Sequence, residues 1–201
     1  TTALLNLVSS SFNALNASGL SFTADLGFTG NNTGAQNIDS QFNPTTASSP
    51  KYTQNSAHLS VWNLSNITDA AQSVGDASAN TSNIYPKFTD NNFYARINDN
   101  VSSSGFAITD PRGHLLGNRS SSTARQAYQN ASTTLSGGVS ASYGSTASKA
   151  PHNSTMRFLG QAADGSVNQA AMGSIGASLT SGEVTSFYNR LRTYMTAVGV
   201  P

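Results

Sequence analysis

Cysteine is absent from the 201-residue sequence. Without thiols the chain cannot form a disulfide bond, use a thiolate nucleophile or bind a metal through sulfur. This excludes disulfide-stabilised small domains, cysteine hydrolases and cysteine-ligated zinc sites. It also means that cysteine usage does not indicate the redox compartment.

Charge is scarce as well. Charged residues make up 9% of the chain, and the ten lysines and arginines nearly balance the nine acidic residues. No basic stripe supplies the attraction that drives most nucleic-acid binding, so we expect no nucleic-acid partner. Disordered chains combine low hydrophobicity with high net charge. This chain has a formal net charge of +1 and 37% apolar residues, so we expect it to fold.

Long apolar runs are missing too. No segment approaches the roughly 20 apolar residues that a membrane-spanning helix needs, so we expect no membrane insertion. A chain of this length suits one all-β domain, which would bury roughly 70% of its unfolded surface. We predict a single domain over residues 1–201, with a short lead-in over residues 1–20.

Residue types that carry catalysis are few and scattered. A glycosidase needs two carboxylates flanking one bond, but Glu183 is the only glutamate and the aspartates form no close acidic motif. His58, His114 and His152 are far apart and accompany neither a G-x-S-x-G motif nor a zinc-binding spacing. We predict a non-enzymatic protein with no catalytic residue, metal or cofactor. The alternative is a glycan depolymerase, a hydrolase or lyase whose aspartates converge from different strands.

Alternating hydrophobicity predicts short β-strands along most of the chain. The clearest covers residues 21–28, in which alternate residues are apolar. Other strands with this period cover residues 38–42, 58–63 and 93–98. The residues predicted to face inward are Phe22, Ala24, Leu26, Phe28, Leu59, Val61, Phe93, Ala95 and Ile97. Weaker candidates cover residues 106–109, 114–119, 124–129, 139–143, 156–159 and 171–178.

Turn residues separate most of these strands, for example Gly137-Gly138 and Asp164-Gly165. Many short strands with frequent turns are typical of a sandwich or barrel. We therefore predict an all-β fold, an antiparallel β-sandwich. Between residues 68 and 83 the alternation disappears, and we predict that this polar stretch is a protruding loop.

The end of the chain has a different pattern. Thr180 and Glu183 form a T-x-x-E capping box, which satisfies the free amides at a helix start. Apolar residues then recur at steps of three and four, and Gly199 offers a left-handed stop. We predict one C-terminal α-helix over residues 180–198 that packs its apolar stripe on the sandwich.

Two pairs of residues suggest a sugar-binding site. Aromatic rings stack on the apolar faces of sugars, while polar side chains bind their hydroxyl groups. Trp62, the only tryptophan, lies near His58, and Tyr94 lies near Arg96. All four are candidate ligand-binding residues, although a single tryptophan in a sandwich is more often part of the core.

A third candidate region is the chemically mixed segment 110–119. Asp110, Arg112, His114 and Arg119 could face a polar ligand. The simpler interpretation is a salt bridge in a turn, followed by polar residues on a strand surface. We favour that simpler interpretation and keep the four residues as candidate ligand contacts.

Several segments together resemble tailed-bacteriophage virion and prophage proteins. The first is N-A-S-G-L-S-F-T-A-D-L-G-F-T-G at residues 16–30. The resemblance continues through residues 38–44, 52–62, 112–114, 118–120 and 175–180, and it closes with the predicted helix at 183–199. These segments span most of the chain.

The resemblance implies a concanavalin-like, laminin-G-type jelly roll carried on a phage tail or head appendage. It therefore implies a structural virion protein, either for host-surface glycan attachment or for capsid or tail assembly. The implied partners are other virion proteins, copies of itself in a homo-oligomer such as a trimer, and a host glycan. The implied location is the virion, assembled in the cytoplasm of a bacterial host. The matching segments carry no catalytic residue.

Overall fold

A computed structural model describes residues 12–16, 19–32, 36–76, 81–99, 104–161 and 164–201. These residues form short strands and a terminal helix, α1 (Ser181–Ala197). The strands are β1 (Leu15–Asn16), β2 (Ser21–Thr23), β3 (Gly27–Thr29), β4 (Ile38–Asp39), β5 (Ala57–Asn63), β6 (Val74–Asp76), β7 (Asn83–Tyr85), β8 (Asn92–Arg96), β9 (Phe106–Ala107), β10 (Gly113–Arg119), β11 (Arg125–Gln129), β12 (Met156–Phe158) and β13 (Gln169–Gly176).

The strands form two sheets. The seven-stranded sheet has the order β1-β4-β12-β6-β7-β8-β9, and the six-stranded sheet has the order β11-β10-β5-β13-β3-β2. The named strand pairs are antiparallel. Helix α1 packs on the outside of the six-stranded sheet. The predicted antiparallel β-sandwich with one C-terminal helix is confirmed.

The main core lies between the sheets. It contains the buried apolar residues of β5, β8 and β10, including Leu59, Val61, Phe93, Ala95 and Leu115. Because successive side chains of a strand point to opposite faces, this alternation fixes which residues face outward. The outward residues of β5 and β8 include four of the candidate ligand-binding residues, namely His58, Trp62, Tyr94 and Arg96.

Residues 21–28 do not form the single strand that their alternation predicts. They form a tight hairpin, in which Phe22 pairs with Phe28 across β2 and β3. Asp25 (φ 62°) and Gly27 (φ 81°) adopt the left-handed conformation that reverses the chain. Phe22, predicted to face inward, is 47% exposed.

The polar stretch 68–83 is not a protruding loop in its described part. Strand β6 lies within it, and Asp69, Gln72 and Ser73 are buried. Asp69 Oδ2 accepts hydrogen bonds from Ser166 Oγ (2.5 Å) and Asn168 Nδ2 (2.9 Å). These hydrogen bonds allow the Asp69 carboxylate to be buried, which a pattern of apolar residues does not predict. Residues 77–80 lie outside the described residues.

Other predicted strands differ mainly in extent. Residues 38–42 contribute only β4, because Gln41 adopts a left-handed conformation (φ 58°). Residues 139–143 make isolated bridges, Thr134 with Ser140 and Gln126 with Ser142, instead of a strand. Most of the predicted lead-in over residues 1–20 lies outside the described residues, and β1 is the strand found within it.

Helix α1 begins and ends as its sequence predicts. Thr180 caps it, with its hydroxyl accepting a bond from Glu183 N while the Glu183 carboxylate accepts one from Thr180 N. Val198 is the C-cap and Gly199 follows with φ 78°. The apolar stripe, including Val184 and Met195, is buried against the six-stranded sheet.

Candidate functional site

The structure separates the predicted ligand-binding residues into four places. Trp62, His58 and His114 lie under helix α1. Arg119 lies inside the sandwich, Asp110 and Arg112 lie in an exposed turn, and Tyr94 and Arg96 lie on the outside of the seven-stranded sheet.

Trp62 is buried where α1 covers the six-stranded sheet, with an exposed fraction of 1%. Its ring is nearly parallel to those of His114 (25° between planes) and Tyr188 (10°), with both centroids 6.1 Å away. Its Nε1 donates to the Pro201 carbonyl oxygen at 3.3 Å. No face of the indole is open for stacking on a sugar in this arrangement.

His58 and His114 lie beside Trp62 and are also buried. His58 Nδ1 is 2.5 Å from the Ala177 carbonyl oxygen, which can only accept, so Nδ1 carries the proton. His58 Nε2 is 3.0 Å from Ser174 Oγ. Burial lowers the pKa of His58, although the bond to Ala177 opposes this shift. Burial also lowers the pKa of His114, to about 4.

Arg119 is fully buried between the sheets. Its Nε donates to the Ile97 carbonyl oxygen at 2.6 Å, and its Nη2 lies 3.7 Å from Asp99 Oδ1. Asp99 also pairs with Arg125, whose guanidinium lies 3.7 Å from the ring centroid of Tyr143. This network places Arg119 in the interior, away from an exposed ligand surface.

Asp110 and Arg112 form the turn salt bridge that the simpler interpretation predicts. Arg112 Nη2 lies 2.7 Å from Asp110 Oδ2, and the two side chains are 60% and 37% exposed. Hydrogen bonds from Arg112 lower the pKa of the Asp110 carboxyl group. Gln129 Nε2 donates to the carbonyl oxygens of both residues, which anchors the turn to β11. The pair is isolated from the predicted aromatic residues.

Tyr94 and Arg96 share the outer face of β8. Their neighbours Phe93 and Ala95 face the core, so alternation directs Tyr94 and Arg96 outward, where both are half-buried. The Arg96 guanidinium carbon lies 4.9 Å from the Tyr94 ring centroid and 5.8 Å from that of Tyr85. These distances are within the range of a cation–π contact.

Tyr85 and Phe88 complete an aromatic group that the sequence analysis missed. Tyr85 pairs directly with Tyr94 across β7 and β8. Phe88 makes edge contacts with Tyr85 (5.2 Å) and Tyr94 (5.8 Å). The turn signal at Asp90-Asn91-Asn92 indicates a hairpin between the segments that carry Tyr85 and Tyr94, but it does not give the register that places the two rings opposite each other.

Polar groups surround this aromatic group. Asp90 Oδ2 accepts hydrogen bonds from Tyr94 Oη (2.7 Å) and Asn92 Nδ2 (2.9 Å). Partial burial by itself would raise the pKa of Asp90, but these hydrogen bonds outweigh that effect and hold the pKa below its ordinary value. The same bond raises the pKa of Tyr94. We call this group the Tyr94 surface, and its members are Tyr85, Phe88, Asp90, Asn92, Tyr94 and Arg96.

A row of outward positions extends from the Tyr94 surface across the sheet. Arg96 pairs with Asn83, Gly75 with Asn83, and Arg157 with both Gly75 and Asp39. Arg157 Nη2 lies 3.8 Å from Asp39 Oδ2. A Cβ atom on Gly75 would lie 2.7 Å from Asn83 Cβ, so the glycine permits close packing here. The row joins the aromatic group to a second charged pair.

The described residues contain neither a metal-binding cluster nor a membrane-spanning helix. They contain no group of three or more histidine, cysteine, aspartate or glutamate side chains that could hold a metal ion. In the same part of the chain, no helix has the length and hydrophobicity needed to cross a membrane.

No family model and no curated protein matches the chain in sequence. Its fold is similar to the binding domain of Paraclostridial Mosquitocidal Protein 1, with a TM-score of 0.61 and 13% identity over 93% of this chain and 49% of that one. This chain therefore spans about half the length of that structure.

Two other solved structures are similar in fold. Domain 4 of AbnA, a GH43 extracellular arabinanase from Geobacillus stearothermophilus, was solved with arabinotriose; it has a TM-score of 0.51 and 14% identity over 92% of both chains. A Trypanosoma rangeli sialidase mutant displaying trans-sialidase activity has a TM-score of 0.50 and 12% identity over 91% of this chain and 30% of that one. At these identities the similarity establishes the β-sandwich fold alone.

Proposed function

We propose that this chain is a carbohydrate-binding domain and that the Tyr94 surface is where the glycan binds. The observation that carries the proposal is the position of Tyr94. Its half-buried ring lies on the outside of the sandwich next to Arg96, Asn92 and Asp90.

The chemistry of this surface suits a sugar. A tyrosine ring can stack on the apolar face of a pyranose or furanose, while amide, guanidinium and carboxylate groups bind its hydroxyl groups. Asn92, Arg96 and Asp90 supply those three groups within reach of one ring. Tyr85 and Phe88 hold the Tyr94 ring through edge contacts, which reduces the entropy lost on binding.

The fold comparisons support a binding role. A sandwich similar to this one was solved with arabinotriose, and another is the binding domain of a mosquitocidal protein. Those ligands and roles belong to those proteins. For this chain they support a binding role over other uses of the same architecture.

We also propose that binding occurs without catalysis. Eight of the nine acidic side chains already have hydrogen-bond or ion-pair partners, namely Asp39, Asp69, Asp76, Asp90, Asp99, Asp110, Asp164 and Glu183. A glycosidase needs two carboxylates that are available on either side of the scissile bond. Because eight acidic side chains of this chain are used in structural contacts, a binding function is favoured over that of a depolymerase.

The biological setting that we propose is a bacteriophage particle. The resemblance of its segments to tailed-bacteriophage virion proteins supports a non-enzymatic appendage or decoration domain, present in several copies and carrying the glycan site toward the host surface. Labelling intact particles with antibody to this chain and imaging them by electron microscopy tests the setting. Absence of label from every particle would overturn it, with no consequence for glycan binding.

Glycan binding is tested with purified protein on an array of arabinan, sialylated oligosaccharides and bacterial capsular polysaccharides, followed by calorimetry on the strongest ligand. We expect Tyr94→Ala to weaken binding by at least tenfold. The matched control is Tyr194→Ala, which removes a 61% exposed tyrosine from α1 and should leave affinity unchanged. Equal affinity of both variants and the original protein would refute the assignment, and shortened polysaccharide chains would refute the non-enzymatic role.

A further inference from the structure

His114 is buried under helix α1 in an unusual state. The residue is 1% exposed, and neither nitrogen of its ring has a hydrogen-bond partner among the described residues. Its backbone is fixed, because His114 N donates to Asn130 Oδ1 (2.9 Å) and its carbonyl oxygen accepts from Asn130 N (2.8 Å). The ring is therefore held in place without a polar partner.

Aromatic side chains from α1 enclose this ring. Tyr188 lies nearly parallel to it, with a centroid distance of 6.3 Å, and Phe187 makes an edge contact at 5.3 Å. Trp62 of β5 completes the group at 6.1 Å. A neutral imidazole fits such a site, whereas an imidazolium would bring a charge and a second N–H donor with no acceptor.

The titratable and charged groups around His114 offer no compensation. The titratable neighbour from strand β5 is His58. Helix α1 contributes Tyr188, and also Arg192, whose guanidinium carbon lies 5.9 Å from the Trp62 ring centroid. Tyr128 of β11 packs in the adjoining cluster with Phe187. The helix carboxylate, Glu183, is held in the capping box. These groups provide no anion against the imidazole.

We propose that protonation of His114 releases helix α1 from the six-stranded sheet in mildly acidic solution. In the docked form the imidazolium would be desolvated and unpaired. In the open form water hydrates it. Acid therefore favours the open form, in which Trp62 and the apolar stripe of α1 become accessible.

The direction of the effect follows from linkage. Burial, and to a smaller extent repulsion from His58, lowers the pKa of His114 from 6.5 to about 4 while α1 is docked. In the open form the group regains its ordinary pKa, so the open form binds more protons between these values. Docking is fully stable above about pH 6.5 and weakens as the pH falls toward 4. The difference in proton affinity corresponds to a roughly 300-fold shift in the docking equilibrium.

Trp62 makes this change measurable, because it is the only tryptophan. We expect its fluorescence emission to shift to longer wavelength as the pH falls from 7 to 4. Over the same range, hydrogen exchange should accelerate in the amides of α1 but not in those of β8 and β10. His114→Phe keeps an aromatic ring that cannot be protonated, and should reduce both changes to the contribution of His58, whose pKa burial also lowers.

His152→Gln is the matched control, because His152 lies outside this aromatic group, with Nδ1 3.0 Å from Ser154 Oγ. It should leave both changes intact. The proposal is overturned if the original protein shows no shift down to pH 4, if β8 and β10 lose protection together with α1, or if His114→Phe behaves like the original protein. Should His114→Phe fail to fold, NMR titration of the original protein decides: a His114 ring with a pKa of 6 or above overturns the proposal.

Discussion

The outer faces of the two sheets have opposite arrangements. On the six-stranded sheet, Trp62, His58 and His114 point outward and are buried because α1 covers them. On the seven-stranded sheet, Tyr94 and Arg96 point outward and stay half-buried at the surface. Similar residue types therefore serve packing on one face and are available to a ligand on the other. The covering element, and not the residue type, decides between these uses.

The sharpest test of this comparison is the loss of one ring from each face. We expect Trp62→Ala to lower the free energy of unfolding by about 3–5 kcal/mol, because it leaves a cavity under α1. Tyr94→Ala should cost about 1 kcal/mol or less, since the ring is partly solvated. Urea denaturation measures both values. Equal costs would contradict the distinction between a covered and an open face.

Arg96 tests the open face through binding. Replacing it by methionine keeps much of its apolar stem but removes the guanidinium that lies over Tyr94 and Tyr85. We expect the dissociation constant for the best array glycan to rise about tenfold, or about 1.4 kcal/mol, by calorimetry. Arg112→Met, in the isolated turn, is the control, and an equal loss there would show that binding responds only to net charge.

Thr180 tests the covered face through its helix. Thr180→Ala removes one half of the capping box and should lower the free energy of unfolding by about 1 kcal/mol. Thermal denaturation provides the measurement. Thr196→Ala, at an exposed position of the same helix, should change stability by less than about 0.5 kcal/mol. A larger effect at Thr196 would mean that composition, and not the cap, stabilises α1.

The smallest expected effect concerns pH. Asp90 has a pKa below its ordinary 3.8 and Tyr94 one above its ordinary 10.0, so neither titrates between pH 5 and 8. Glycan affinity at the open face should therefore vary by less than about twofold over that range. Calorimetry at several pH values tests this, and a steep change would place another titratable group in the site.

Sequence patterns predicted the parts of the fold that depend on local chemistry. The alternation in β5 and β8 and the capping box at Thr180 and Glu183 each specify a structure through neighbouring residues. The hairpin at residues 21–28 was missed because its apolar alternation also fits one extended strand. Left-handed residues such as Asp25 decide between the two.

Features that depend on distant partners could not be predicted. Asp69 can be buried because Ser166 and Asn168 donate hydrogen bonds to its carboxylate. Arg119 can be buried because its guanidinium forms an ion pair with Asp99. Neither partner is evident from local composition. At the candidate site, Tyr94 and Arg96 were identified from their neighbourhood, whereas Tyr85 required the pairing of β7 with β8.

Strand β5 has a consequence for how the chain folds. Its neighbours in the six-stranded sheet are β10 and β13, and its residue His58 contacts Ser174, 116 positions later. Closing so long a loop is entropically costly and slows folding in proteins dominated by distant pairings. During synthesis β10 can pair with one edge of β5 first, whereas the other edge must stay unpaired until β13 has left the ribosome. Refolding after dilution from urea should accordingly be slow and sensitive to protein concentration, because the unpaired edge can pair with another chain.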